Sequence, residues 1–99
     1  MYAIRYDTGA ADEIRGPAAY YQRRILAEIK THLTRMPTVR TNRRKPLPNL
    51  AHPWEAVPPI WELRVGEYRV FYDVSEVDHM VRVLAVRHKP PGKRTEEIL

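Results

Sequence analysis

Two arginines carry the first hint of chemistry in this chain. Ile60 to Val74 reads Ile-Trp-Glu-Leu-Arg-Val, then Gly-Glu, then Tyr-Arg-Val-Phe-Tyr-Asp-Val. Two β-rich runs separated by a Gly-X pair predict a hairpin with a two-residue type II′ turn, in which Gly66 supplies the positive φ. That turn sets the pairing: Val65 faces Tyr68, Arg64 faces Arg69, Leu63 faces Val70, Glu62 faces Phe71 and Trp61 faces Tyr72. With side chains alternating, Trp61, Leu63, Val65, Tyr68, Val70 and Tyr72 share one apolar face. Glu62, Arg64, Arg69 and Phe71 share the other.

Like charges directly across a sheet destabilise it by about 0.2–1 kcal/mol, so folding alone does not ask for Arg64 opposite Arg69. Two readings stand side by side. In one, both guanidinium groups splay into solvent with Glu62 beside Arg64. In the other, they form a site for a polyanion, because paired arginines bind phosphate in a bidentate way that lysine cannot copy. Further basic residues cluster at Arg40–Lys45 and Arg87–Arg94, either as solvated charge runs or as phosphate contacts. Lys and Arg total 17 against 12 Asp and Glu. A patchy basic surplus suits a nucleic acid, an acidic protein or an acidic membrane surface, without choosing among them.

The elements that must hold these residues fit one domain, residues 1–99. Tyr2 to Tyr6 alternates as a half-buried strand. Asp7 or Thr8 can cap a short helix, with Asp12 and Glu13 in or near its first turns, that ends at Gly16-Pro17. Tyr21, Ile25, Ile29, Leu33 and Met36 then form the stripe of a second helix, stopped by Pro37. His32 reads as a surface or boundary residue. Thr38–Pro59 holds five prolines and predicts a long connection with little regular structure, where Trp54 packs under the loop rather than stacking on a base. After a turn at Ser75–Asp78, His79–Val86 predicts a last strand. If Val74 faces His79, then Val81, Val83 and Ala85 join the apolar face, while Arg82, Leu84, Val86 and His88 join the arginine face. Thr95–Leu99 can begin a final helical turn.

No cysteine is present, so a disulfide frame and a thiolate metal site are both excluded. The N-terminus lacks the apolar region of a signal peptide, and no run is long enough to span a bilayer as a helix. The expectation is a soluble cytoplasmic protein with no membrane role.

The order of a strand, two helices, a basic loop, Leu63-Arg64, Tyr68-Arg69-Val70-Phe71-Tyr72-Asp73-Val74 and Val83-Leu84-Ala85-Val86-Arg87-His88-Lys89 resembles the RelE/ParE toxin superfamily of toxin–antitoxin modules. The resemblance covers nearly the whole chain. It implies an α+β fold of β-α-α-β-β-β order: a small, mainly antiparallel four-stranded sheet, two N-terminal helices packed on one face, an open concave surface on the other and a possible short C-terminal helix.

By resemblance to the RelE branch, the expected activity is metal-independent, cofactor-free cleavage of messenger RNA on the ribosome. Arg69 and Arg64 would hold the scissile phosphate, His88 would donate or accept a proton, and Glu62 would be a candidate base. Such cleavage needs a base for the ribose 2′-hydroxyl, positive charge for the phosphorane and an acid for the leaving 5′-oxygen. Arg43, Arg44, Lys45, Arg87, Lys89, Lys93 and Arg94 would bind RNA. The expected partners are the ribosome, mRNA and a cognate antitoxin, the last in a hetero-oligomer. The sequence departs from the RelE pattern in having Ile60 and Glu62 where that branch has lysines two apart, and no tyrosine follows His88. A ParE-like gyrase inhibitor, or an inactive protein-binding module of the same fold, is the alternative.

Overall fold

A computed structural model describes all residues, 1–99. The elements are β1 (Ala3–Tyr6), α1 (Thr8–Arg15), α2 (Ala19–Leu33), β2 (Arg44–Leu47), β3 (Ile60–Val65), β4 (Tyr68–Ser75), β5 (Met80–His88) and a 3-10 turn at Thr95–Glu97. They build one sheet of order β1-β5-β4-β3-β2. Only β1 pairs in parallel, with β5; the other pairs are antiparallel. The α+β architecture, the helix pair and the C-terminal turn are as expected.

The hairpin has the expected register at all five pairs, Arg64 opposite Arg69 included. Gly66 has φ +57°, as the first central position of a II′ turn demands. One hydrophobic cluster lies between helices and sheet. It holds Ile25, Ile29 and Leu33 of α2 against Trp61, Leu63, Val65, Val70, Tyr72, Val81 and Val83. The ends of the expected stripe lie outside this cluster, with Tyr21 and Met36 exposed. Helix α2 stops at Leu33 because the ring of Pro37 would strike the carbonyl four residues earlier. The buried Tyr72 hydroxyl then donates to the Pro37 carbonyl at 2.7 Å, and burial pushes its pKa upward.

Two expectations about the remaining chain change. The 38–59 connection is not wholly irregular, because Arg44–Leu47 pairs with β3 as a fifth strand. Pro46 is tolerated there because β2 is an edge strand. Lys45 opposite Glu62 adds a favourable cross-strand pair. The sheet face away from the helices is only partly open. Ile60, Phe71, Leu84 and Ala85 form a second cluster beneath Leu47, Trp54, Ala56, Ile98 and Leu99. Trp54 lies 5.5 Å from Phe71, under the loop as expected. Asp73 anchors that loop by accepting from the Val57 N–H at 2.8 Å and from Arg82 at 2.8 Å.

The pairing of β5 also differs. Val74 faces Val81, two residues further than expected, which leaves the faces of Val81 and Val83 unchanged. A bulge at Leu84 then inserts one residue, since Phe71 faces Ala85 while Tyr72 faces Val83. One extra residue exchanges the faces of everything after it. Ala85 therefore joins Phe71, Val86 joins the helix-side core, Arg87 comes opposite Arg69, and His88 comes opposite Tyr68.

Candidate functional site

The register lines up Arg64, Arg69 and Arg87 across β3, β4 and β5. Each guanidinium is held differently. Arg69 is largely covered, its side chain 12% exposed, with Nε 3.1 Å from Glu62 Oε1. It also donates to the Gly66 and Tyr68 carbonyls, both at 2.9 Å. Burial lowers its pKa, Glu62 opposes that shift, and the neighbouring Arg64 adds to it. Arg87 is tied down by an ion pair with Glu13, by donation to the Ile98 carbonyl at 3.1 Å and by packing over the Trp54 ring. Arg64 is exposed and makes no ion pair.

Glu62 is the pivot. It is 3% exposed, lies between Arg69 and Lys45 (4.0 Å), and receives the Thr95 hydroxyl at 3.3–3.4 Å. Around it opens a cleft of about 340 Å³ with no hydrophobic residue in its lining. Seven of its eleven lining residues are Arg or Lys and only Glu62 is acidic, so the cleft is a positive well with one carboxylate at its floor. Arg40, Arg64 and Lys89 line it without ion-pair partners. Three unpaired cations lining one cleft raise its positive potential, which an incoming anion neutralises.

The structure thus brings together Glu62, Arg64, Arg69, Lys45 and Lys89. His88 is a correction. The Leu84 bulge turns it to the helix side, where its imidazole contacts the Tyr68 ring at 5.2 Å and lies 3.7 Å from the Glu67 carboxylate. Arg44 is a second correction. It faces Leu63 and points beneath α2, where its guanidinium donates to the His32 carbonyl and it is 8% exposed. A cation at those last helix carbonyls complements the macrodipole, so Arg44 serves the fold. Its Nε has no partner. Arg43 leans toward α2 and pairs with Glu28 at 3.2 Å, while Glu28 also meets His32 at 2.9 Å. Lys93 and Arg94 sit beside Glu97, at 3.9 and 3.6 Å, outside the cleft.

Arg40 of the expected basic cluster lines the cleft, and so do Thr41, Asn42 and Thr95, to which the sequence assigns no site role. Thr41 accepts from the Arg43 and Arg44 N–H groups at 3.1 Å each and so shapes the turn into β2. No group of three or more His, Cys, Asp or Glu side chains is placed to hold a metal ion. No helix is long and apolar enough to cross a membrane.

A mainly antiparallel sheet backed by two N-terminal helices is the fold of a class of small bacterial and archaeal toxins. Residues 4–89 match the family model described as the ParE toxin of the type II toxin–antitoxin system, parDE, and the chain belongs to this RelE/ParE superfamily. No curated relative matches the sequence.

Solved structures share its fold. The archaeal RelE–RelB complex of Pyrococcus horikoshii OT3 aligns with a TM-score of 0.70 at 22% identity, covering 94% of this chain and 98% of that one. The isolated E. coli RelE toxin aligns at 0.68 and 17% identity, covering 98% and 90%. The RelBE2 complex of Mycobacterium tuberculosis aligns at 0.66 and 22%, covering 89% and 98%.

Proposed function

We propose that this toxin acts on RNA, as a ribosome-dependent mRNA endonuclease whose scissile phosphate sits in the Glu62–Arg64–Arg69 cleft. The observation that carries this reading is the lining of the cleft, which is polar and cationic throughout with a single carboxylate at its floor. A surface built to hold a protein would be expected to offer aromatic or aliphatic anchors at its centre.

Arg69 and Arg64 donate to the non-bridging oxygens, where negative charge grows as the phosphorane forms. Each well-placed donor of this kind is worth roughly 10²–10³ in rate. Glu62 takes the proton of the ribose 2′-hydroxyl, whose oxygen attacks the adjacent phosphorus. The ammonium groups of Lys45 and Lys89 are the donors at hand for the departing 5′-oxygen. His88 takes no part, because it lies on the other face. Arg40 and Arg43 extend the phosphate track, and Lys93 and Arg94 add outlying positive charge. The toxin works in the cytoplasm and is held inactive by a cognate antitoxin, a partner supported by the RelE–RelB complex among its structural neighbours.

The test is primer-extension mapping of transcripts after induced expression, with and without translation blocked. In-frame cuts that vanish when translation stops support the proposal; intact transcripts in growth-arrested cells refute it. A second reading, inhibition of DNA gyrase, is favoured by the ParE description of the matching family model and by the absence of an imidazole from the cleft. Block of gyrase supercoiling in vitro, with toxicity surviving every substitution in the cleft, would decide for it.

A further inference from the structure

Behind the hairpin, on the helix side, four rings touch in series. Tyr20 and Tyr21 meet at 5.3 Å, Tyr21 and Tyr68 at 5.4 Å, and Tyr68 and His88 at 5.2 Å. None of these pairs is parallel, with interplanar angles of 80°, 49° and 51°, and Tyr68 is partly buried against the core while Tyr20, Tyr21 and His88 are exposed. Tyr20 is 62% exposed and Tyr21 39%. A helix start has no packing need for two adjacent exposed tyrosines, and neither hydroxyl has a hydrogen-bond partner within the chain.

Two cations frame the row. Arg24, one turn along α2 from Tyr20 and Tyr21, rests its guanidinium over Gly66, where a β-carbon would lie 3.0 Å from it. Lys89 follows His88 and already lines the phosphate cleft, and Tyr68 directly precedes Arg69. The ring row and the cleft therefore meet around the same hairpin tip, one on each face.

We infer that the Tyr20–Tyr21–Tyr68–His88 row is a base-stacking platform for the single-stranded RNA that flanks the phosphate in the cleft. The inference rests on the RNA reading above and deepens it. Aromatic faces beside unpaired cations suit a single strand, whose unpaired bases stack on rings while its backbone follows the positive charge. Stacking of this kind tolerates any base, so the platform would lend affinity without sequence preference. An acidic protein is the competing occupant, since aromatic rings also anchor protein interfaces, and antitoxin affinity is measured beside RNA affinity to separate the two.

The test measures anisotropy of a short labelled single-stranded oligo(A) RNA, and of an abasic strand of the same length, across a salt series. Replacing Tyr20 and Tyr21 together with Ala is expected to weaken oligo(A) binding by about tenfold or more, while the Phe pair restores it. The salt slope should stay unchanged, because no phosphate contact is lost, and the abasic strand should bind both proteins equally. Arg64→Ala should instead weaken both strands and lower the salt slope by about one. An Ala pair that binds oligo(A) like the wild type overturns the platform and leaves the cleft standing if Arg64→Ala still weakens binding. Loss of antitoxin affinity without loss of RNA affinity assigns the row to a protein partner and also overturns it. If the wild type binds neither strand, the RNA reading of the cleft falls, and this inference with it.

Discussion

Replacing Glu62 by Gln separates the two jobs assigned to that carboxylate. Removing one partner of a fully buried ion pair costs about 3–5 kcal/mol, because the other charge is left uncompensated. Gln keeps an acceptor within reach of Arg69 Nε and the Thr95 hydroxyl, and Arg69 retains some water contact at 12% exposure. The expected loss is therefore smaller, about 1–2 kcal/mol, which in a domain of this size lowers Tm by roughly 5–15 °C. Urea or thermal unfolding measures it.

The same change releases Arg69 from its only carboxylate partner and adds one positive charge to the cleft. RNA affinity should rise severalfold at low salt, while cleavage falls by about 10²–10⁴ for want of a base. Tighter binding with lost cleavage is the signature. Cleavage within tenfold of the wild type would show that Glu62 is not the base. Weakened binding would show that it does not compete with phosphate for Arg69.

Other predictions concern the frame. Gly66→Ala places a β-carbon at φ +57° against the Arg24 guanidinium and should destabilise by at least about 1–2 kcal/mol, read as a lower urea midpoint. Arg44→Ala should lower stability by about 1–3 kcal/mol through lost packing and an orphaned His32 carbonyl, without changing the salt slope of RNA binding. Arg64→Ala, at an exposed position with no ion pair, should do the reverse, leaving the unfolding free energy within about 0.5 kcal/mol of wild type while lowering that slope.

The hairpin was legible because a two-residue Gly-X turn permits one register, and Arg64, Arg69 and Glu62 follow from it by alternation alone. His88 was misplaced because Val83-Leu84-Ala85-Val86 is apolar at both parities. Nothing in such a run marks which residue bulges, and one bulge reverses every face beyond it. Strand β2 is hidden by Pro46 and the prolines that follow it, which local preference reads as loop although an edge strand accepts Pro46. Arg44 looks like its basic neighbours; only the pairing with β3 reveals that it turns under α2. Thr95 reaches Glu62 from a C-terminal turn more than thirty residues away, a contact that no local pattern announces. The partial covering of the second sheet face follows from the same long-range packing, with Trp54, Ile98 and Leu99 converging on Phe71 and its neighbours.

The most direct test uses purified toxin and ribosomes programmed with a defined mRNA, and reads the single-turnover cleavage rate of wild type and Arg69→Ala by primer extension. The expected result is cutting at the ribosome-bound codon by the wild type, and a rate at least about a hundredfold lower for the variant, whose cooperative unfolding shows it still folded. Uncut mRNA with active wild-type toxin, or equal rates for a folded Arg69→Ala protein, would contradict an RNA-cleaving role for the arginine cleft.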